Sequence, residues 1–230
     1  MLGLVEQFAH LHEGGNQLIL VSSGAVAAGR ELLGIAKGDP SEKQLCASTG
    51  QVILMQTWLE LFSLFDLNVG QVLLTKEDLI DEKKQCNARD VLNSMLLHGV
   101  IPIINEKNAM VAQEACWDND NLAAHVAKLI SPDLVVLLTD QDGLFTADPR
   151  RNPDATLIEE VRQIDASIVA SARGTKSSHA TGGMATKIEA AQTALQSGVK
   201  MVIASSSRPS VLIDIVEGKQ IGTQFLAEGE

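Results

Sequence analysis

Five short, almost wholly apolar segments constrain the fold more than any other feature of this sequence. Each is a nearly continuous apolar run, which is typical of parallel strands that are covered on both faces. Helical patterns lie between them, and this alternation predicts an α/β fold with a doubly wound, mostly parallel sheet. The predicted strands are residues 17–23, 69–75, 100–106, 133–140 and 199–206. The predicted helices are residues 51–65, 88–98, 121–130 and 186–197.

The chain reads as a single domain over residues 1–230, because no linker, internal repeat or low-complexity stretch interrupts it. Its first segment is unusual for such a fold. A helix that ends at Gly14-Gly15 leads into the first predicted strand, whereas a parallel sheet usually opens with a strand. We therefore expect either a fold that begins with a helix or a chain that lacks the opening strand of its relatives.

Composition excludes several classes of function. The net charge of −11 and the aromatic content of 3% argue against a nucleic-acid-binding or anionic-membrane surface. No apolar run is long enough to span a membrane. The cysteines are odd in number and far apart, which disfavours disulfides and zinc and predicts a reducing, cytoplasmic setting. These cysteines are Cys46, Cys86 and Cys116.

Polar or glycine-bearing segments follow three of the predicted strands. Ligands of open α/β sheets bind at the carboxyl ends of the strands, so these segments are candidates for a binding site. They are Ser22-Ser23-Gly24-Ala25, Asn105-Glu106-Lys107-Asn108 and Thr139-Asp140-Gln141-Asp142-Gly143.

Each of these motifs also has a simpler structural interpretation. The turn around Ser23 and Gly24 could present backbone amides to a ligand or could be an ordinary strand-to-helix turn. The Asx cluster at residues 118–121 could hold a substrate and orient cations or could only cap a helix. The carboxylates at residues 140–148 could bind Mg²⁺ or a ribose, and Asp148-Pro149 could equally be only a turn.

Lys187 lies in the first turn of a predicted helix, although the partial positive charge of a helix N-terminus disfavours a cation there. Because Thr181-Gly182-Gly183 comes just before this helix, the segment suits an anion cradle of amides and one ammonium. The alternative is a solvated surface lysine.

Taken together, these motifs resemble those of the glutamate 5-kinases, a group within the amino acid kinase family. The resemblance covers residues 4–225 and rests on motifs that occur in the expected order. The motifs are VSSGAVAAGRELLG, LNVGQVLLTKEDL, NARDVLNSML, IPIINE, DNDNLAA, LLTDQDGLFTADPR and TGGMATKIEAA. The family's fold is a three-layer αβα sandwich with a mostly parallel central sheet.

The resemblance implies an activity and its site. The implied reaction transfers the γ-phosphoryl group of ATP, with Mg²⁺ carried by the nucleotide, to the side-chain carboxylate of L-glutamate, the first step of proline biosynthesis. The implied catalytic residues are Lys187, on the transferring phosphate, and Asp120, which orients catalytic lysines. The implied glutamate-binding residues are Ser23, Gly24, Asn108 and Asn119. The implied ATP-binding residues are Thr139, Asp140, Thr181, Gly182, Gly183, Met184, Ala185, Thr186 and Lys187. The implied partners are proline as feedback inhibitor and further copies of the chain in a homodimer or homotetramer.

Departures from the family pattern leave alternatives open. The family opens with a strand that ends in Lys-x-Gly-[Ser/Thr], which this chain lacks, and usually has an aspartate where Asn108 stands. Some relatives carry a C-terminal PUA domain, for which this chain has no counterpart. The alternatives are a degenerate member that binds ligand or partner subunits without turnover, and a kinase of the same fold that acts on another carboxylate or on a carbamate.

Overall fold

The chain folds into two compact α/β units. The computed structural model describes residues 1–36, 39–107, 118–173 and 183–226. Unit 1 comprises Met1–Asn119 and unit 2 comprises Asp120–Glu230, and within the described residues each has its own sheet. The single domain expected for residues 1–230 stays a prediction.

Unit 1 has a three-stranded parallel sheet in the order β1-β3-β2. Its strands are β1 (Leu20–Val21), β2 (Asn68–Leu74) and β3 (Val100–Glu106). Its helices are α1 (Leu2–Glu13), α2 (Ala25–Leu33), α3 (Pro40–Ser63) and α4 (Glu82–Leu97), with a 3₁₀ turn at Glu77–Leu79. The central strand β3 is buried from its second residue to its last, which explains its unbroken apolar pattern.

Three predicted boundaries in unit 1 were wrong. The helix expected over residues 88–98 begins at Glu82, because Asp81 caps it by accepting from the amides of Lys83 and Lys84. The strand expected at residues 17–23 is ordered as a strand only at Leu20–Val21, where it pairs with Ile103 and Ile104. Within the described sheet β1 is an outer strand that pairs on one side only, with β3. Fewer backbone hydrogen bonds therefore hold it in strand conformation, which explains its short length. The helix expected from residue 51 begins at Pro40, because Asp39 forms a capping box with Glu42 and so starts it earlier.

Helices α2 and α3 pack against each other through glycines. A Cβ atom on Gly29 would lie 1.9 Å from the carbonyl oxygen of Cys46. A Cβ atom on Gly50 would lie 1.7 Å from the carbonyl oxygen of Ala25. Only glycine permits this approach, so Gly50 allows a close helix contact instead of interrupting α3. The contact holds the first turn of α2 directly against α3.

Unit 2 has a mostly parallel four-stranded sheet in the order β4-β6-β7-β5. The strands are β4 (Leu134–Thr139), β5 (Glu160–Val161), β6 (Lys200–Ser205) and β7 (Thr223–Phe225). Among the pairs that these described strands form, β4–β6 and β5–β7 are parallel and β6–β7 is antiparallel. The helices are α5 (Asn119–Ile130), whose first residue belongs to unit 1, α6 (Ala166–Arg173), α7 (Met184–Gln196) and α8 (Val211–Val216).

The core of unit 2 forms between α7 and the β4–β6 pair. Met184, Ile188 and Ala191 lie on one face of α7 and are buried with Met201 and Ile203 of β6, and Leu195 packs half-buried against the same cluster. Outside the named strands, Phe145 forms an isolated antiparallel bridge with Leu157. No helix in the described parts of the chain has both the length and the apolar character that crossing a membrane requires.

Candidate functional site

The exit of β1 forms a tight turn that presents two of the predicted glutamate-binding residues. The amide of Ser22 donates to the carbonyl of Ile104 at 2.8 Å and so extends the pairing of β1 with β3 by one residue. Ser23 and Gly24 follow it and are exposed, and α2 begins immediately afterwards. Gly24 has φ 106°, a left-handed conformation that favours glycine. The turn therefore exposes the Ser23 hydroxyl beside the start of a helix.

Two side chains hold this turn through Ser22, which is buried. The indole Nε1–H of Trp58 donates to the Ser22 hydroxyl at 2.9 Å. The side-chain amide of Asn119 donates to the Ser22 carbonyl at 3.1 Å. The structure thus brings Asn119 to the residue that precedes Ser23 and Gly24, so three of the four predicted glutamate contacts lie together. The fourth, Asn108, lies outside the described residues.

The exits of β2 and β3 carry a second set of fixed polar groups. Asn105, which is buried, donates its side-chain amide to Gln51 of α3 at 2.9 Å. After β2, the Asp78 carboxylate accepts hydrogen bonds from the hydroxyl and amide of Thr75, at 2.6 and 2.8 Å. Burial would raise the pKa of Asp78, but these hydrogen bonds and the charges of Lys84 and Lys107 lower it overall from its ordinary 3.8. Asp78 is therefore held in its ionised form.

In unit 2, Lys187 forms a buried ion pair with Asp120. The ammonium donates to the carboxylate at 2.7 Å, and the two side chains are only 11% and 19% exposed. The hydroxyl of Thr186 lies 3.2 Å from the same carboxylate oxygen. The alternative of a solvated surface lysine is therefore wrong. Asp120 holds one of the three N–H donors of Lys187 and fixes the position of its charge.

The start of α7 places the described part of the glycine-rich stretch around this pair. Gly183 precedes the helix in an extended conformation, and within the described residues no side chain caps the N-terminus of α7. The Thr186 hydroxyl donates to the Gly183 carbonyl at 2.8 Å. Met184 points into the core of unit 2, whereas Ala185 is exposed. Two predicted ATP-binding residues lie outside the described part of the chain: Thr181 and Gly182.

Thr139 ends β4 in a half-buried position, and Asp140 follows it and is exposed. The Thr139 hydroxyl donates to Asp140 at 3.2 Å, and Arg150 forms an exposed ion pair with Asp140 at 3.3 Å. Sequence reasoning did not single out Arg150, although the ADPRRNP segment could have suggested it. Asp148, considered as a possible metal or ribose ligand, instead accepts from the Arg150 amide at 3.0 Å within a turn. Among the described residues, no three His, Cys, Asp or Glu side chains cluster as metal ligands.

Comparison with known proteins extends these observations. The amino acid kinase family profile matches residues 1–205. The chain is 46% identical to a glutamate 5-kinase of Pasteurella multocida, over 100% of this chain and 64% of that protein. It is 50% identical to a glutamate 5-kinase of Shewanella pealeana, over 99% of this chain and 62% of that protein. The chain therefore spans a little over three fifths of the length of these curated relatives.

Solved structures show the same fold at low sequence identity. An isopentenyl phosphate kinase of T. acidophilum matches with a TM-score of 0.64 at 18% identity, covering 96% of this chain and 87% of that one. A UMP kinase of Bacillus anthracis matches with a TM-score of 0.65 at 15% identity, covering 99% and 86%. With an α/β fold, mostly parallel sheets and a profile match over residues 1–205, the chain belongs to the amino acid kinase family.

Proposed function

We propose that this chain phosphorylates the side-chain carboxylate of L-glutamate with Mg-ATP, producing γ-glutamyl phosphate and ADP. In the reaction a γ-carboxylate oxygen forms a bond to the γ-phosphorus while the bond to the β,γ-bridging oxygen breaks, and the electron pair leaves with ADP. The protein's task in such a transfer is alignment and stabilisation of charge rather than covalent chemistry.

The observation on which the proposal rests is the buried pair of Lys187 and Asp120. A buried ammonium is costly without a partner, so its retention beside the glycine-rich stretch requires a reason. Asp120 compensates the charge and fixes its position, while two N–H donors of Lys187 are not used by any other described residue. We assign these donors to the transferring phosphoryl group, and we assign Asp120 to orienting Lys187.

The remaining predicted residues divide between the two substrates. We assign the exposed Ser23 and Gly24 of the β1 exit, together with Asn119, to glutamate. A turn with a free hydroxyl and a helix start suits a small anionic substrate. The names of relatives that are 46–50% identical over nearly the whole chain support glutamate in particular. Asn108 belongs with this group as a further proposed contact.

We assign a second set of residues to the nucleotide. It follows β4 and precedes α7, and Mg²⁺ arrives with ATP rather than on a protein site. The set consists of Thr139, Asp140, Thr181, Gly182, Gly183, Met184, Ala185, Thr186 and Lys187.

The assay is formation of γ-glutamyl hydroxamate from L-glutamate, Mg-ATP and hydroxylamine. Lys187→Met keeps the length of the side chain and removes its charge, and we expect kcat to fall by about 10²–10³, as for the loss of one electrostatic group in other enzymes. The control is Lys128→Met, an exposed lysine on α5, which should leave the rate unchanged. Circular dichroism establishes that both variants are folded.

Other outcomes identify the alternatives. A near-normal rate for folded Lys187→Met contradicts the assignment of this lysine. Turnover of aspartate, acetylglutamate or carbamate in place of glutamate indicates another kinase of the same fold. Glutamate binding by calorimetry without any turnover indicates a degenerate member that only binds ligand.

The proposal also includes partners and setting. We propose a cytoplasmic homodimer or homotetramer that proline inhibits by feedback, and one functional domain over residues 1–230. The free thiols of Cys46 and Cys86 are compatible with a reducing compartment. Sedimentation velocity and the hydroxamate assay with added proline test the assembly and the inhibition.

A further inference from the structure

We infer that Trp58 is a positioning residue for glutamate binding, although it belongs to α3 and its indole donates to Ser22, which is not assigned to the substrate. It acts through Ser22 on the turn that carries Ser23 and Gly24. The inference rests on the proposed function, since it assumes that glutamate binds at this turn. Its structural part, that Trp58 orders the turn, stands independently of the substrate.

The first step is the hydrogen bond itself. The Trp58 indole has a single donor, Nε1–H, and it lies 2.9 Å from the Ser22 hydroxyl oxygen. Trp58 is 5% exposed and Ser22 is 4% exposed, so water does not replace this bond if it breaks. A buried donor left without a partner is costly, which makes the pairing obligatory for both groups.

The second step is the rigidity of the indole. Its ring packs on Phe62 with centroids 6.0 Å apart, and Phe62 meets Phe8 of α1 edge to face at 5.7 Å. Phe62 is fully buried. A large ring held in a packed aromatic cluster cannot reorient freely, so the direction of its N–H is set by α3 rather than by Ser22.

The third step is the transmission from Ser22 to the turn. Because the Ser22 hydroxyl accepts from Trp58, its own hydrogen is directed elsewhere, and the Ser23 carbonyl lies within reach at 3.3 Å. The carbonyl of Ser22 also accepts a hydrogen bond from the side-chain amide of Asn119 at 3.1 Å. Indole, hydroxyl and carbonyl therefore form a relay in which each bond polarises the next. The relay fixes the peptide plane between Ser23 and Gly24.

The test replaces Trp58 by phenylalanine, which keeps an aromatic ring in the cluster and removes the N–H. We expect the KM for glutamate to rise by about threefold to tenfold, the effect of one buried hydrogen bond, with kcat and the KM for Mg-ATP nearly unchanged. We also expect faster hydrogen exchange of the Ser22 amide, which donates to the Ile104 carbonyl at 2.8 Å, measured by NMR without any substrate. The control is Phe62→Leu, which disturbs the same cluster without removing a hydrogen bond.

A second variant protects the test against a folding defect. Ser22→Ala removes the acceptor of the indole, and adding Trp58→Phe to it should raise the KM for glutamate little further, because Ser22→Ala already breaks the bond that Trp58→Phe breaks. Two additive effects, or an unchanged exchange rate of the Ser22 amide in Trp58→Phe, would overturn the inference. So would a Phe62→Leu variant that raises the KM for glutamate equally.

The two possible failures are distinguishable. If the unaltered chain neither binds nor phosphorylates glutamate, the proposed function fails, and hydrogen exchange still decides whether Trp58 orders the turn. If the unaltered chain uses glutamate and Trp58→Phe has the same KM, the positioning role fails while the proposed function stands.

Discussion

The close contact between α2 and α3 makes Gly50→Ala a severe test of how unit 1 is built. The added Cβ would lie 1.7 Å from the carbonyl oxygen of Ala25 and 2.5 Å from the amide nitrogen of Gly29. Both atoms belong to backbone, so no side-chain rotation relieves the clash. The helices would have to separate until the first distance reaches at least the 3.0 Å that real Cβ contacts respect.

The expected cost follows from packing. Forcing an extra carbon into a well-packed contact typically costs about 1–3 kcal/mol, and a contact with backbone places this variant at the upper end, about 3 kcal/mol. Replacing glycine by alanine within a helix returns only about 0.5–1 kcal/mol. The net loss is a large fraction of the roughly 5–15 kcal/mol that stabilises a typical domain.

The assay is urea unfolding followed by the fluorescence of Trp58, which is buried in unit 1, with Trp117 replaced by phenylalanine so that one tryptophan reports. We expect the midpoint to fall by roughly 1 M. Gly3→Ala is the matched control, since it also lies within a helix but its Cβ would meet nothing closer than 3.9 Å. It should leave the midpoint unchanged or raise it. Should Gly50→Ala unfold at the midpoint of the control, the steric argument is refuted.

Three further variants test individual polar contacts. Asp78→Asn removes a carboxylate whose pKa is lower in the folded state than the ordinary 3.8. The stability that the Asp78 carboxylate contributes is therefore complete well above pH 3.8, and it disappears as the pH falls below 3.8 through the lower pKa of the folded state. The difference in unfolding free energy between the unaltered chain and Asp78→Asn should therefore shrink in urea titrations below about pH 4, and a constant difference would contradict it. Thr223→Val removes a buried hydroxyl that bonds two backbone groups at 2.8 and 2.6 Å, and it should cost about 1–3 kcal/mol for each group left unpaired, measured by the same titrations; a loss no larger than that of an exposed Thr146→Val would argue against it. Asp120→Asn leaves the ammonium of Lys187 without its counter-charge, so it should lower kcat in the hydroxamate assay and leave the KM for glutamate nearly unchanged; an unchanged kcat would show that the pair has no part in the reaction.

The strands were predictable where burial alone decides the pattern. Strands β2, β3, β4 and β6 were each predicted to within one residue at either end, because a strand covered on both faces leaves a continuous apolar run. By contrast, β7 has only three residues and pairs antiparallel with β6. A segment this short does not show a hydrophobic pattern that predicts a strand. Its position depends on contacts that are distant in the chain.

The error at the start of α3 has a different origin. Gly50 looks like a helix stop in sequence, since glycine is unfavourable inside helices. Here the lost propensity is offset by the packing that its missing side chain allows against α2. The Asp-Pro-Ser-Glu capping signal at residues 39–42 was present in the sequence and indicates the true beginning.

The candidate site was predictable in composition but not in contacts. The glycine-bearing strand exits drew attention to Ser23 because of where ligands bind in α/β sheets, and a lysine in the first turn of a helix drew attention to Lys187. The pairing of Lys187 with Asp120 joins residues 67 positions apart, and no spacing rule predicts it. The hydrogen bond between Trp58 and Ser22 was even harder to predict from the sequence, because a tryptophan on a helix face is normally interpreted as a core residue.

The close contact between α2 and α3 also buries the thiol group of Cys46. Cys46 lies in that contact and is fully buried, whereas Cys86 on α4 is exposed. A maleimide reagent should therefore modify Cys86 at once and Cys46 only at the pace at which the two helices come apart. In a chain with Cys116 changed to serine, the rate of the slow labelling phase reports how often α2 and α3 separate. Mass spectrometry measures this rate without any substrate.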